Sequence, residues 1–226
     1  LSFALSLVML MSITGGLGLT AYAGDTYYET EDNDDYSSAD YVPVNSTIYG
    51  VCREYDSDWY KFTLSSSAKV NVQFSFNRAD ADGDWDVYLY KYDGNGDYTQ
   101  LEYKDVYVYD GSYTFSSLGL PAGTYFVKVY GYNSACGRQY SITPKCSYVS
   151  NWETEFNDEY TSADPLSMGV TRYGVCRGYD RDWYKFVLNA PSTVSVTFTH
   201  TKASADGDWD VYLYKYKGDG EYDQLA

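Results

Sequence analysis

The sequence predicts an all-β protein made of tandem antiparallel β-sandwiches of a jelly-roll-like kind. Three observations support this fold class. Apolar and polar residues alternate in several short segments, turns rich in glycine and aspartate separate those segments, and blocks of sequence recur at a constant spacing. No segment shows the period of 3.6 residues that indicates an amphipathic helix.

The repeat organises the chain into two copies of one module. The recurring blocks in the first copy are Glu29–Asp34, Tyr49–Arg53, Asp58–Phe62 and Asp82–Tyr92. Each block returns in the second half of the chain, displaced by the same 124 positions. A constant displacement indicates a duplicated structural unit. We therefore place the first copy at residues 25–149 and the second copy at residues 150–226.

The second copy is shorter than the first, because its last residue, Ala226, corresponds to Glu102. The part without a counterpart would supply several strands, and a sheet that stops there has an unpaired edge. We therefore expect an incomplete second sandwich, in a fragment of a longer polypeptide with further domains.

Strands are predicted where the alternation has a period of two. The segments are Tyr60–Leu64, Val70–Phe76, Val87–Tyr92, Tyr125–Val129 and Tyr140–Thr143. The predicted turns between them are Asp93–Gly96, Asp110–Gly111 and Pro121–Gly123. Short alternating strands at this spacing are typical of a sandwich that buries one face of each sheet.

Residues 1–23 are predicted to be a signal peptide that is clipped at its N-terminus. They carry no charge, the run Leu1–Met11 is almost wholly apolar, and Ala21 and Ala23 fit a peptidase site before Gly24. A transmembrane helix is the alternative, but the strongly apolar part is shorter than the roughly 20 residues that a span needs. We expect a secreted or cell-surface protein whose mature chain has no membrane segment.

The charge composition excludes several classes of function. The 32 acidic residues exceed the 16 basic ones, and the net charge of −16 argues against binding to nucleic acid. A single histidine leaves few ways to build a catalytic triad or a zinc site. Because no segment combines a nucleophile, a base and an orienting group, we predict that the chain is not itself an enzyme.

Several motifs together resemble a known family. The motifs are the Glu-x-Glu-x-Asn-Asp opening, Asp56–Phe62, Asp84–Tyr90, Leu120–Tyr125 and the closing Tyr140–Thr143. In this order they resemble the bacterial pre-peptidase C-terminal domain and its relative, the collagen-binding domain of clostridial collagenases. The resemblance implies a non-catalytic bacterial module that binds calcium. It also implies a polymer partner, either a matrix protein such as collagen or a polysaccharide.

Two equivalent acidic clusters are predicted to bind calcium. Calcium takes six to eight oxygen ligands, and alternate residues of an extended segment project to one side. Densely packed carboxylates repel one another unless a cation neutralises them. The resemblance implies the same ligands: Glu29, Glu31, Asn33, Asp34, Asp56 and Asp58, with Glu153, Glu155, Asn157, Asp158, Asp180 and Asp182 in the second copy. The alternative is an acidic linker that is merely solvated.

The cysteines are predicted to form a disulfide, because the chain is predicted to be exported. A predicted strand would hold Cys136 and Cys146 roughly 30 Å apart, which is too far for a bridge. We therefore expect Cys52 to pair with Cys136 or with Cys146, and the spacing does not choose between them.

Tyrosines on the outer faces of strands are candidate ligand-binding residues. Val87 and Leu89 are predicted to face the core, so their neighbours face away from it. The candidate residues are Tyr88, Tyr90, Tyr92, Tyr107, Tyr109, Tyr130 and Tyr132. Rigid aromatic side chains with a polar tip suit interfaces. The alternative is that tyrosine only reflects the composition of strands.

These observations together predict a non-catalytic, calcium-binding accessory or adhesion module that targets a secreted or surface protein to a polymer. Two alternatives stay open. The chain could belong to a secreted peptidase whose catalytic domain lies outside these residues, or it could be a structural spacer built from repeats.

Overall fold

The first copy folds into two facing β-sheets. The structure is a computed structural model, and it describes residues 25–53, 55–77, 83–107, 110–132, 135, 137–178, 180–201 and 208–226. The predicted signal peptide at residues 1–23 lies outside these ranges. Among the described residues, no helix is long and apolar enough to cross a membrane.

One sheet of the first copy has six strands. They are β1 (Thr26–Tyr28), β3 (Thr47–Val51), β5 (Ala68–Phe76), β8 (Ser112–Thr114), β9 (Leu118–Leu120) and β11 (Gln139–Ser147). The strand order is β1-β3-β11-β5-β8, and β9 pairs with a different part of β5.

The other sheet has five strands. They are β2 (Asp40–Tyr41), β4 (Ser57–Leu64), β6 (Asp84–Gly94), β7 (Asp97–Tyr107) and β10 (Gly123–Gly131). The strand order is β2-β4-β10-β6-β7. The predicted all-β fold class is confirmed.

Most strand pairs of the first copy are antiparallel, as predicted, but two are parallel. The pairs β1–β3 and β2–β4 both run in the same direction. The first strands of these two pairs, β1 and β2, are joined by one chain segment. It leaves the six-stranded sheet after Tyr28 and enters the five-stranded sheet at Asp40. This segment carries the first acidic cluster, so the crossing between sheets positions the candidate site.

The core lies between the two sheets. Val87 and Leu89 of β6 are buried there, as the alternation predicts. Aromatic rings join the sheets, since Phe74 of β5 packs against Trp85 of β6 with ring centroids 5.7 Å apart. Each large side chain that is fully buried contributes about 1.5–3 kcal/mol through removal of apolar surface from water.

The predicted turn after β6 is a tight hairpin turn. Asn95 and Gly96 have φ angles of 55° and 91°, which a two-residue hairpin of type I′ requires. The second copy repeats this geometry at Asp219 and Gly220, where φ is 53° and 81°. The hairpin is therefore a local feature that the turn residues specify.

The described residues of the second copy form fewer strands. They are β12 (Asp164–Pro165), β13 (Tyr184–Lys185), β14 (Tyr214–Gly218) and β15 (Glu221–Gln224). The pairs are β12–β13 and β14–β15, and no larger sheet is formed by the described residues after Ser147. One compact unit ends at Phe186, and a second unit begins at Val187. The sequence holds no counterpart of residues 103–146, which supply β8 to β11 in the first copy.

The register of β3 and β11 corrects one of the two predicted disulfides. Val51 lies opposite Gln139, and Cys146 is seven residues further along β11. Seven residues of extended strand span roughly 24 Å, and a disulfide needs Cα atoms within about 7 Å. Cys52 and Cys146 are accordingly free thiols. The other predicted partner, Cys136, lies outside the described residues.

Candidate metal site and aromatic face

The first acidic cluster forms where the segment after β1 passes the start of β4. The amide of Trp59 donates to the carbonyl oxygen of Asn33 at 2.9 Å, which ties the segment to the strand. This contact places Glu31 and Asp34 at the same end of the sandwich as Asp56, although Asp56 is distant from them in sequence.

Three of the predicted ligands converge. One carboxylate oxygen from each of Glu31, Asp34 and Asp56 lies within 4.8 Å of the other two. Partial burial and the charge of Asp56 raise the pKa of Glu31. A hydrogen bond with Asp56, followed by partial burial, raises the pKa of Asp34. The negative charge of Asp56 also contributes to the shift of Asp34, so it raises both pKa values.

Glu29 lies outside this group of three and is held by hydrogen bonds, so its predicted role as a metal ligand stays a prediction. Its carboxylate accepts hydrogen bonds from the Val51 amide and the Tyr60 hydroxyl, both at 2.6 Å. Burial raises the pKa of Glu29, although both hydrogen bonds oppose the shift. These bonds occupy one site on each carboxylate oxygen, so Glu29 fastens the opening segment to β3 and β4.

Asp58 also lies in the interior and is bound to other side chains. It accepts hydrogen bonds from the Tyr140 hydroxyl and, at 3.4 Å, from the Cys52 thiol. Burial is the main cause that raises the pKa of Asp58 to about 8. Its Oδ1 atom and the Oδ1 atom of buried Asn33 have no hydrogen-bond partner in the described part of the chain.

Arg53 lies at the exposed edge of the first cluster. Its Nε atom is 3.1 Å from Glu31 Oε1, and its side chain is 65% exposed. A surface ion pair of this kind contributes at most about 1 kcal/mol. Arg53 therefore offsets little of the negative charge that Glu31, Asp34 and Asp56 concentrate.

The second cluster has the same backbone framework as the first. Glu153 accepts hydrogen bonds from the Val175 amide at 2.5 Å and the Tyr184 hydroxyl at 2.6 Å, as Glu29 does from Val51 and Tyr60. Asn157 accepts from the Trp183 amide at 2.9 Å. The opening motif therefore adopts one local structure in both copies.

The surroundings of the second cluster differ because of an arginine. Arg177 corresponds to Arg53 in sequence, but its side chain is only 26% exposed. Its Nη2 atom is 3.5 Å from Glu155 Oε1, and its Nε atom is 3.8 Å from Asp180 Oδ2. Burial raises the pKa of Glu155 to about 8 and that of Asp182 to about 7.

The first cluster fits a calcium ion in size and in donor type. Calcium binds oxygen at about 2.3–2.6 Å, so two ligands on opposite sides of the ion are about 4.8 Å apart. The separation of the oxygens in Glu31, Asp34 and Asp56 is within this limit. Backbone carbonyls and water usually complete such a coordination shell.

Two residues that organise the clusters were missing from the predicted set. The Asp40 carboxylate accepts hydrogen bonds from the backbone amide of Thr30 at 2.7 Å and from the side-chain Nδ2 of Asn33 at 3.4 Å. Its counterpart, Asp164, accepts from the Thr154 amide at 2.6 Å. A signal was present in the sequence, because Ser-Ala-Asp recurs at Asp40 and Asp164 with the same spacing as the acidic motif.

The outer surface of the five-stranded sheet carries a cluster of rings that we call the aromatic face. Its members are Trp59, Tyr88, Tyr90, Tyr92, Tyr98, Tyr103 and Phe126. Tyr90 stacks on Trp59 at 5.6 Å and on Tyr88 at 5.8 Å. The predicted stripe of Tyr88, Tyr90 and Tyr92 is therefore part of a larger cluster, and Trp59 and Phe126 support it from β4 and β10.

A buried carboxylate holds one end of the aromatic face. Asp86 accepts hydrogen bonds from the hydroxyls of Tyr88, Tyr103 and Tyr132 at 3.2, 2.8 and 3.0 Å. Three hydrogen bonds to one carboxylate restrict the orientation of all three rings.

The remaining predicted tyrosines lie near the same end. Tyr130 contacts Tyr132, with ring centroids 5.0 Å apart. Tyr107 is exposed and lies opposite Asp84 in the β6–β7 register. Tyr109 lies outside the described residues, so its predicted role stays a prediction.

Comparisons with known proteins found two solved structures that are similar to part of the chain. The chain is similar to the pre-peptidase C-terminal domain of a collagenase from Bacillus anthracis, at 20% identity over 47% of this chain and 94% of that one, with a TM-score of 0.37. It is also similar to a mitogen from Yersinia pseudotuberculosis, at 12% identity over 48% of this chain and 88% of that one, with a TM-score of 0.34.

No curated protein matches the sequence. Residues 56–131 match the family model of the bacterial pre-peptidase C-terminal domain. These residues include β4, β6, β7 and β10, which carry most of the aromatic face. The resemblance predicted from the sequence is confirmed for residues 56–131, and for the second copy it stays a prediction.

Proposed function

We propose that the first copy is a calcium-binding, non-catalytic accessory module of a secreted bacterial protein. The observation that carries the proposal is the convergence of Glu31, Asp34 and Asp56, whose carboxylate oxygens lie within 4.8 Å of one another. The negative charge of Asp56 contributes to the raised pKa values of Glu31 and Asp34, which supports the proposal because a bound cation would offset that charge.

Calcium would link the opening segment to the sandwich. Glu31 and Asp34 belong to that segment, whereas Asp56 immediately precedes β4. An ion held by all three carboxylates would resist separation of the segment from the strand. Binding should therefore stabilise the folded module according to the concentration of free calcium relative to its dissociation constant.

Calcium titration by calorimetry tests the proposal. We expect the wild-type chain to bind calcium at millimolar concentration or below, and Glu31→Gln with Asp56→Asn to weaken that binding by about tenfold or more. The matched control is Asp93→Asn with Asp97→Asn, which removes two charges from the β6–β7 turn. Absence of calcium binding to the wild type, or equal weakening by both double variants, would contradict the proposal.

The second cluster differs from the first in the charge that surrounds its carboxylates. Arg177 lies within 4.0 Å of Glu155 and Asp180, so its guanidinium already supplies positive charge to the carboxylates that a cation would neutralise. Calcium binding at this cluster would require the arginine to move or to share its partners.

A specific observation also favours polymer binding by the first copy. The aromatic face combines rings packed against one another with edge tyrosines that are well exposed, such as Tyr103 at 46% and Tyr98 at 40%. Because the rings are already ordered, contact with an extended polymer would cost little further entropy. We propose that the partner is either a matrix protein or a polysaccharide.

Co-sedimentation with insoluble collagen and with cell-wall polysaccharide tests this part. Tyr90→Ala with Tyr103→Ala should reduce the bound fraction by several-fold. The control, Tyr28→Ala with Tyr148→Ala, removes two exposed tyrosines outside the aromatic face and should leave binding unchanged. Equal loss in both variants would exclude the aromatic face as the binding surface.

A further inference from the structure

We propose that the opening segment of the second copy, which we define as residues 150–158, is a docking element that recognises the first sandwich, and that Arg177 latches it in place. The proposal concerns contacts within the compact unit that ends at Phe186. It does not depend on calcium binding at either cluster.

The backbone makes the closest contact. The amide of Glu155 donates to the carbonyl oxygen of Gly119, in β9, at 2.6 Å. A Cβ atom at Gly119 would lie 1.8 Å from the carbonyl oxygen of Glu153. Only glycine therefore permits the second copy to approach β9 so closely.

Two lysines of the first sandwich cover aromatic rings of the docking element. Lys69 Nζ lies 3.8 Å from the ring centroid of Trp152, and Lys91 Nζ lies 5.1 Å from that of Phe156. Cation–π contacts of this kind contribute about 0.5–2 kcal/mol, depending on how far water is excluded. The two lysines belong to β5 and β6, so the element contacts both sheets.

Arg177 connects the two copies through its guanidinium group. Its Nη1 atom donates to the carbonyl oxygen of Leu101 at 2.9 Å and lies 3.9 Å from Glu102 Oε1, and both partners belong to β7. Its Nη2 atom pairs with Glu155 of the docking element. A planar fork of donors can hold partners on both sides at once, which a lysine cannot do in the same way.

A comparison of the two copies supports a specific role for these residues. The positions of Trp152 and Phe156 are occupied by Tyr28 and Asp32 in the first copy. Tyr28 is 70% exposed, and Arg53 makes its ion pair within its own copy. The two copies thus share the acidic framework, but Phe156 has no aromatic counterpart, and Tyr28 is exposed where Trp152 lies under Lys69.

Amide hydrogen exchange on the full chain in the presence of a calcium chelator tests the latch. We expect Arg177→Ala to increase exchange at the Glu155 amide by about tenfold or more, because this amide is protected by its bond to Gly119. The matched control, Arg53→Ala, removes the equivalent arginine of the first copy and should change that exchange by less than about twofold. Amides of β4 and β10 provide an internal reference for folding of the first sandwich.

Phe156→Asp gives the second copy the residue of the first and should also expose the Glu155 amide. Failure of the latch is distinguishable from failure of the calcium proposal, since the exchange experiment contains no free calcium. The latch is wrong if the wild-type Glu155 amide exchanges as fast as an unstructured peptide. It is also wrong if Arg177→Ala and Arg53→Ala give the same exchange at that amide.

Discussion

The two acidic clusters share one sequence motif and one backbone framework, yet their arginines have different environments. Arg53 extends along the surface and pairs with Glu31, whereas Arg177 is largely covered and contacts the preceding copy as well as its own. The motif therefore specifies the local fold of the opening segment. The neighbouring surface decides whether the arginine beside the carboxylates is exposed, as Arg53 is, or largely covered, as Arg177 is.

The same lesson holds for the strands. Val70–Phe76 forms most of β5 in the first copy, but the equivalent segment, residues 194–200, has no strand in the structure. Both segments alternate apolar and polar residues. The difference is the presence of β8, β9 and β11, which pair with β5 and have no counterpart in the second half of this sequence.

The largest contrast between the copies should appear on truncation of a core phenylalanine. Phe62 is fully buried and stacks on Tyr125 at 5.4 Å, so Phe62→Ala should reduce the free energy of unfolding by about 3–5 kcal/mol. Phe186 is its counterpart and is partly exposed, so Phe186→Ala should cost less than about 1 kcal/mol. Urea unfolding measures both, and equal losses would show that the second copy has a core like the first.

The next contrast is the dependence of stability on pH in the absence of divalent cations. Burial, with the charges of Glu29 and Asp56, raises the pKa of Asp58 to about 8, well above the unfolded value of about 3.9. Between these values the folded state keeps a proton that the unfolded chain has released. The contribution of Asp58 to the free energy of unfolding should therefore be highest below pH 4 and should fall as the pH rises to about 8.

Asp58→Asn should remove this slope, which for one proton is at most about 1.4 kcal/mol per pH unit. Asp182 is the counterpart, and burial raises its pKa to about 7. Because Asp182 lies outside the first sandwich, Asp182→Asn should change the pH dependence of the free energy of unfolding less than Asp58→Asn does. The measurement is urea unfolding at several pH values with a chelator, and an unchanged slope in Asp58→Asn would contradict the assignment.

The smallest contrast concerns the tyrosines that hold the opening segments. Tyr60 donates to Glu29 and also lies 2.6 Å from the Tyr140 hydroxyl, so Tyr60→Phe should cost about 1–3 kcal/mol by leaving buried partners unsatisfied. Tyr184 donates to Glu153 at a half-buried position. Thermal unfolding should show a loss below about 1 kcal/mol for Tyr184→Phe. A larger loss at Tyr184 than at Tyr60 would reverse the comparison.

The period-two alternation predicted the faces of the strands well. Val87 and Leu89 face the core, and Tyr88 and Tyr90 face away from it, because a strand with one buried face constrains its side chains strongly. The alternation did not predict that Trp59 would be only 5% exposed. Its burial depends on rings from β6 and β10, and the pairing of those strands is non-local.

The acidic motif predicted where a cation site could form, but it did not show which carboxylates converge and which are held by hydrogen bonds. Glu31 and Glu29 are alternate residues with the same chemistry, yet only Glu31 joins the cluster with Asp34 and Asp56. Glu29 reaches Val51 and Tyr60 because β1 pairs with β3, a contact that spacing along one segment cannot reveal.

The sequence alone determined the β-class, the repeated sequence blocks, the turn after β6 and the location of both acidic clusters, since these follow from alternation, turn chemistry and repeated residues. Only the tertiary structure decided which carboxylates meet, which cysteines are too far apart, and which arginine joins the two copies. These features depend on strand register and on the packing of distant segments, and neither is encoded by residues that are close together in sequence.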